Sequence, residues 1–212
     1  MTEHSIARAD VKNWEAAKRL RANGFSPLPI RMDKKRPRGD GWSRYCVTPR
    51  TAAEIDAHWY QHPWDGVGVC GGYSGLVLID IDTDDRPIIE RVLSVLPPVR
   101  VARLGSKGLV AFFLAPPGTV IGSKRLKGLD RRALVEILAD GRQALVPPTI
   151  HPTTRRPYVW TSAERCSQSR APSSLFSIPL IWNQSCAASS LNSFFLSGSV
   201  RIRRASLEGA RN

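Results

Sequence analysis

Asp80 and Asp82 close an otherwise apolar run, Leu76-Val77-Leu78-Ile79-Asp80-Ile81-Asp82. In an extended strand, residues i and i+2 share a face, and a rise of about 3.3 Å per residue sets these carboxylates roughly 6–7 Å apart. Like charges at the margin of a core repel each other. A divalent cation relieves that repulsion, and carboxylate oxygens suit Mg2+ or Mn2+. Asp84 and Asp85 read instead as polar residues at a helix start, whereas Asp80 lies between Ile79 and Ile81. Glu136 is set in a similar run, Leu134-Val135-Glu136-Ile137-Leu138, where an unpaired charge is costly. Either it pairs with an arginine close in sequence (Arg131, Arg132 or Arg142), or it joins the aspartates. Three strand carboxylates meet the need of a two-metal phosphoryl-transfer site, whose ions stand about 3.5–4 Å apart.

Three basic or polar segments could meet an anion. Gly105-Ser106-Lys107-Gly108 joins two expected strands and can offer backbone N–H groups, the Ser106 hydroxyl and the Lys107 ammonium to a triphosphate. It is equally a good surface turn. The loop Asp33-Lys34-Lys35-Arg36-Pro37-Arg38-Gly39 is a solvated charge run or, through Lys35 and Arg36, a phosphate contact. His151 follows Val146-Pro147-Pro148-Thr149-Ile150 and precedes Pro152, which keeps it out of a helix. A lone histidine is either a packed residue or a ligand contact.

Mixed α and β elements must position these groups. Helical spacing runs from Val11 to Arg21 and stops at Asn23-Gly24. A second helix starts after Thr48 or Thr51 and reaches Tyr60. A third, capped by Thr83, runs from Pro87 to Leu96. Phe25–Ile30 reads as a strand whose prolines place it at a sheet edge. Gly66–Gly71 and Gly75–Asp82 read as strands joined in hairpin fashion. Val99–Leu104, Leu109–Leu114, Ala133–Leu138 and Gln143–Val146 are further strands, and Tyr158-Val159-Trp160 is a last one with core-facing aromatics.

The 212 residues carry 31 Lys+Arg against 18 Asp+Glu, a formal charge of +13. An excess of that size favours polyanionic partners such as nucleic acid. No apolar run approaches the roughly 20 residues of a membrane span, and Met1–Asp10 lacks a signal-peptide core. Cys46, Cys70, Cys166 and Cys186 are widely spaced. They read as reduced thiols of a cytoplasmic protein, two of them in the core. After Ser162 only Glu164 and Glu208 are acidic, serines abound and periodicity disappears. Residues 1–162 are therefore taken as the domain, and 163–212 as a poorly ordered tail.

The order Gly24-Phe25-Ser26-Pro27-Leu28-Pro29, Lys35-Arg36-Pro37, Gly41-Trp42, Gly66-Val67-Gly68-Val69, Gly75 through Asp82, Glu136, Pro147 through Pro152 and Tyr158-Val159-Trp160 resembles the bifunctional DNA primase/polymerase N-terminal domain. That family lies within the archaeo-eukaryotic primase superfamily of phage and plasmid replication proteins. The resemblance covers about residues 10–162. It implies an α/β (α+β) fold with an RRM-like mixed sheet flanked by helices, and Mg2+- or Mn2+-dependent joining of nucleoside triphosphates on a DNA template. It also implies a replicative helicase as a further partner. Asp80, Asp82 and Glu136 match the metal-binding catalytic carboxylates. The strand after the Gly-rich loop should present a histidine to the triphosphate, but Ser106-Lys107-Gly108-Leu109-Val110-Ala111-Phe112 has none. Lys107 could take that task, or the domain is an impaired relic that binds DNA or nucleotide. A nuclease or a nucleotide-sugar transferase would also use an Asp-x-Asp pair. The tail does not resemble what ordinarily follows the family's last strand, as a frameshift or a damaged prophage gene would leave it.

Overall fold

The computed structural model describes residues 3–116, 119–128 and 133–161. The tail assigned to 163–212 lies outside the described residues. In chain order the elements are α1 (Glu3–Ala22), β1 (Pro27–Arg31), β2 (Arg36–Pro37), α2 (Ala52–Gln61), β3 (Gly66–Cys70), β4 (Leu76–Ile81), α3 (Arg86–Leu93), β5 (Val101–Leu104), β6 (Leu109–Leu114), β7 (Lys124–Lys127), β8 (Ala133–Leu138), β9 (Gln143–Leu145) and β10 (Val159–Thr161). Short 3-10 turns occupy Trp42–Cys46 and Tyr73–Gly75.

The strands form two antiparallel sheets, β2-β1-β3-β9 and β10-β5-β6-β4-β8-β7. Within the larger sheet, β4-α3-β5-β6 followed by β8 gives the order β5-β6-β4-β8, the arrangement of an RRM-like unit. The described residues between β6 and β8 hold the edge strand β7. It was not foreseen, because its Lys-Arg-Leu-Lys sequence has no apolar alternation.

One side of the larger sheet buries Val77, Ile79 and Ile81 with Val92 from α3. The other presents Leu76, Leu78, Val110, Phe112 and Leu138 to Val67 and Val69 of β3, to Ala17 and Leu20 of α1, and to Ile55 and Trp59 of α2. That second side, the inner face, carries Asp80 at its polar end, two residues beyond Leu78.

Four readings change. Helix α1 begins at Glu3 rather than Val11. The N-cap of α3 is Asp85, whose Oδ1 accepts from the Ile88 amide, while Thr83 Oγ1 accepts from the Asp85 amide. Strand β1 is not an edge: β2 covers Ile30 and Arg31, leaving the prolines opposite Val67 and Val69 of β3. Finally, β3 and β4 are not a hairpin, since they belong to different sheets. A methyl on Gly71 would come within 2.6 Å of the Ala139 carbonyl oxygen and 2.8 Å of that of Leu138. Only glycine lets the chain pass this close to the end of β8 as it crosses between sheets.

The basic loop is pinned rather than solvated. Arg38 forks onto Asp65, with Nη2 2.7 Å from Oδ1, and His58 Nε2 lies 2.9 Å from Oδ2 of the same carboxylate. Burial alone would raise the Asp65 carboxyl, but the Arg38 and His58 hydrogen bonds outweigh it and hold it below the usual value. A depressed folded-state value stabilises above the unfolded pKa and is lost as pH falls. Asp65→Asn is expected to cost about 2–4 kcal/mol at neutral pH by urea denaturation, with the gap to wild type narrowing below about pH 4.

Candidate active site

Register places Asp80 and Glu136 in one transverse row. Trp160 of β10 lies opposite Arg103 of β5, Arg103 opposite Val110 of β6, Val110 opposite Asp80 of β4, Asp80 opposite Glu136 of β8, and Glu136 opposite Arg125 of β7. Directly opposed residues share a face with Cα atoms roughly 4.5–5.5 Å apart. The row two residues away, Val101-Phe112-Leu78-Leu138, is apolar throughout. The charged row therefore begins where the inner core ends.

Asp80 is largely buried, and its carboxyl is pushed up to about 6. Burial is the main cause; Arg103 opposes it, and the neighbouring Asp82 and Glu136 carboxylates add to it. Asp82 continues the pairing with β8 through its amide, which donates to the Leu134 carbonyl (3.0 Å). Its Oδ1 lies 3.2 Å from Lys107 Nζ. Glu136 is paired by Arg125: Nε stands 2.7 Å from Oε1 and Nη2 3.2 Å from Oε2, while Arg131 and Arg132 lie outside the described residues.

A basic wall faces the acids. Arg103 stacks on the Tyr158 ring, with Cζ 4.5 Å from its centroid. A methyl on Gly105 would come within 2.7 Å of Arg103 Nη1 and 2.9 Å of Tyr158 Cε1, so glycine permits that stack. The Nε of Arg103 is buried without a hydrogen-bond partner. Lys35 Nζ lies 2.7 Å from His151 Nε2, and the His151 ring packs 5.6 Å from Tyr158. The Thr153 and Thr154 amides donate to His151 Nδ1 at 3.3 and 3.2 Å. Burial lowers the pKa of both Lys35 and His151, and Arg103 lowers both further; Asp82 partly offsets this at Lys35. Two basic groups in contact beside a half-satisfied arginine make an environment that favours an anion.

Most of the sequence-derived candidates converge here. Asp80, Asp82, Glu136, Lys107, Lys35 and His151 share this neighbourhood. Ser106 stands exposed beside Lys107 at the tip of the β5–β6 loop, and Arg36 is exposed on β2. Arg103 and Arg125 were missed. Arg103 alternates with Val101 in a short strand, an anomaly of the same kind that drew attention to Asp80. Arg125 lay in a stretch without any such signal.

The donor set suits a hard divalent cation: oxygen ligands only, on one face, with a repulsion left unrelieved at Asp80. Yet among the described residues no three acid, histidine or cysteine groups stand together as a ready metal cage; Asp82 and Glu136 are each turned towards a base. The Asp80 value gives a stability test. Its folded pKa lies above the unfolded 3.8, so its contribution is most favourable below that value and is lost as pH rises through about 6. With chelator present, Asp80→Asn is expected to raise stability at pH 8 by on the order of 1–3 kcal/mol. No gain should remain near pH 4, read by thermal unfolding.

Among the described residues no helix is long and apolar enough to cross a membrane. A family model described as "Bifunctional DNA primase/polymerase, N-terminal" matches residues 17–175. No curated protein matches the chain. The match takes in both sheets and every acid and base of the row, in the fold that the motif order implied. With three quarters of its length so matched, the chain belongs to the bifunctional DNA primase/polymerase N-terminal family, a family of primase/polymerase-type nucleotidyltransferase domains.

Proposed function

We propose that this domain joins nucleoside triphosphates on a DNA template in a reaction dependent on Mg2+ or Mn2+, within a phage or plasmid replication system. The observation that carries the reading is the row itself. Asp80 and Glu136 lie directly opposed on one face, Asp82 follows on the same strand, and a wall of Lys35, His151 and Arg103 stands beside them.

Asp80, Asp82 and Glu136 would hold the metal. Bound Mg2+ or Mn2+ supplies activation of the attacking 3′-hydroxyl and neutralisation of the departing charge. The chain's own residues do the rest. Lys35 and His151 are placed to meet phosphate oxygens, with Lys107 and the Ser106 hydroxyl at the open lip of the site. Arg36, exposed on β2, suits template or nucleotide phosphates outside it. The 3′-oxygen attacks the α-phosphorus in line, the bond to the bridging oxygen breaks, and pyrophosphate leaves with its electrons. The charge of +13 supports DNA as the other partner, through phosphate neutralisation. A replicative helicase partner, a cytoplasmic location and a domain end near Ser162 complete the reading.

One observation favours a second reading, a binding module without turnover: Val110, not a histidine, faces Asp80 from β6. Primer extension with Mn2+ separates the two. Wild type should lengthen a labelled primer, and Asp80→Ala/Asp82→Ala should lower the rate by about 10^3-fold or more. Absence of extension by wild type, with equal DNA binding by both proteins, would replace the first reading with the second. Shortening of the primer would replace both with a nuclease.

A further inference from the structure

Two acids of the site are ion-paired to bases from two separate segments. Arg125, on the edge strand β7, holds Glu136 through two hydrogen bonds (2.7 and 3.2 Å). Lys107, at the tip of the β5–β6 loop, holds Asp82 at 3.2 Å. Arg103, on β5, shares the row with Asp80, with Val110 between them. Ion pairs of this kind contribute little to stability: the Lys107 and Asp82 side chains are 47% and 45% exposed, and those of Arg125 and Glu136 53% and 21%. Two cations on two neighbouring acids are better explained by what else those acids attract.

We propose that Lys107 and Arg125 are displaceable counter-ions, which compete with divalent metal for Asp82 and Glu136 and, once displaced, turn to the anionic substrate. The inference rests on the metal-dependent reading above and adds an order to it. Each ion pair must open before its acid can serve as a ligand, and each base so released is left without its partner, free to meet a polyphosphate. Metal and triphosphate then bind cooperatively, because each relieves what the other leaves unpaired. Arg103 stands in the same row with its Nε out of solvent and unpartnered, a further donor for the same anion. Lys107 and Arg125 sit on long, exposed stems that can swing without disturbing the core. A purely structural role predicts the opposite sign: a base that props an acid in place would weaken metal binding when removed.

The decisive variants are Lys107→Met and Arg125→Met, both at exposed positions, with Arg125→Lys as the charge-conserving control. Mn2+ binding to the full chain is measured by electron paramagnetic resonance. Nucleoside triphosphate binding is measured separately at saturating Mn2+. Each Met variant is expected to bind Mn2+ alone about two- to fivefold more tightly than wild type, the factor set by an exposed ion pair of up to 1 kcal/mol. Each should bind the triphosphate more weakly at saturating Mn2+, and Arg125→Lys should match wild type in both. Mn2+ affinity unchanged or weakened in both Met variants overturns the proposal. Tighter Mn2+ with unaltered triphosphate affinity overturns its second half. If wild type binds Mn2+ no better than Asp80→Asn/Asp82→Asn, the metal-dependent reading itself falls, an outcome distinct from the other two.

Discussion

Asp80 is a carboxylate on the inner face of a sheet, two residues beyond Leu78 in a face otherwise given to the core. Burial, together with Asp82 and Glu136, raises its carboxyl to about 6 despite the nearby arginine. A chain that wanted only stability would place a leucine there. Everything around the residue is arranged on the terms this charge dictates. The apolar row Val101-Phe112-Leu78-Leu138 seals the core on one side of it. The row it occupies must open to solvent or to a ligand on the other side, because a buried carboxylate without a partner costs several kcal/mol. The crossing at Gly71 follows from the same need. By carrying β3 into a second sheet, it stacks that sheet over the apolar part of the inner face and leaves the polar end uncovered.

Bases flank the acids of the row on both sides. The acids lie on β4 and β8, with Arg103 on β5 at one side and Arg125 on β7 at the other, and the loops of the smaller sheet add Lys35 and His151. Lys35 arrives through the tight turn before β2, where it adopts a left-handed backbone (φ 51°). His151 arrives on a segment fastened to β3 by Thr149, whose Oγ1 donates to the Val67 carbonyl and accepts from the Val67 amide. The Arg38–Asp65–His58 cluster matters here although it is not part of the row. It ties the segment that bears Lys35 to α2, so the basic wall is held by a buried ion pair and not by loop stiffness.

Much of this was legible in the sequence wherever a charge broke an apolar run. Asp80, Asp82 and Glu136 were visible because an acid between isoleucines or beside valine violates a strand's burial pattern. His151 was visible because the prolines around it exclude a helix. What stayed hidden depended on register. Nothing in the spacing of Arg103, Asp80, Glu136 and Arg125 shows that they lie abreast, since strand order is set by packing between distant segments. Nothing in the sequence pointed to Arg125, which β7 sets against Glu136. The hairpin expected between β3 and β4 failed for the same reason. Glycines at 71, 72 and 75 signal a turn equally well whether the chain doubles back within a sheet or steps to another one.

The missing histidine can be weighed on the same geometry. A histidine at position 110 would stand between Arg103 and Asp80, able to donate to an anion near the acids. Val110 donates nothing and also dries the floor of the row, which strengthens the interaction between Arg103 and Asp80 across it. Arg103 is thus the nearest strand-borne donor on that side, with a fork of N–H groups that a single imidazole cannot match. It carries a fixed charge where histidine would carry a titrating one. The basic side of the row is therefore not empty: its donor stands one strand outward, stacked on the Tyr158 ring.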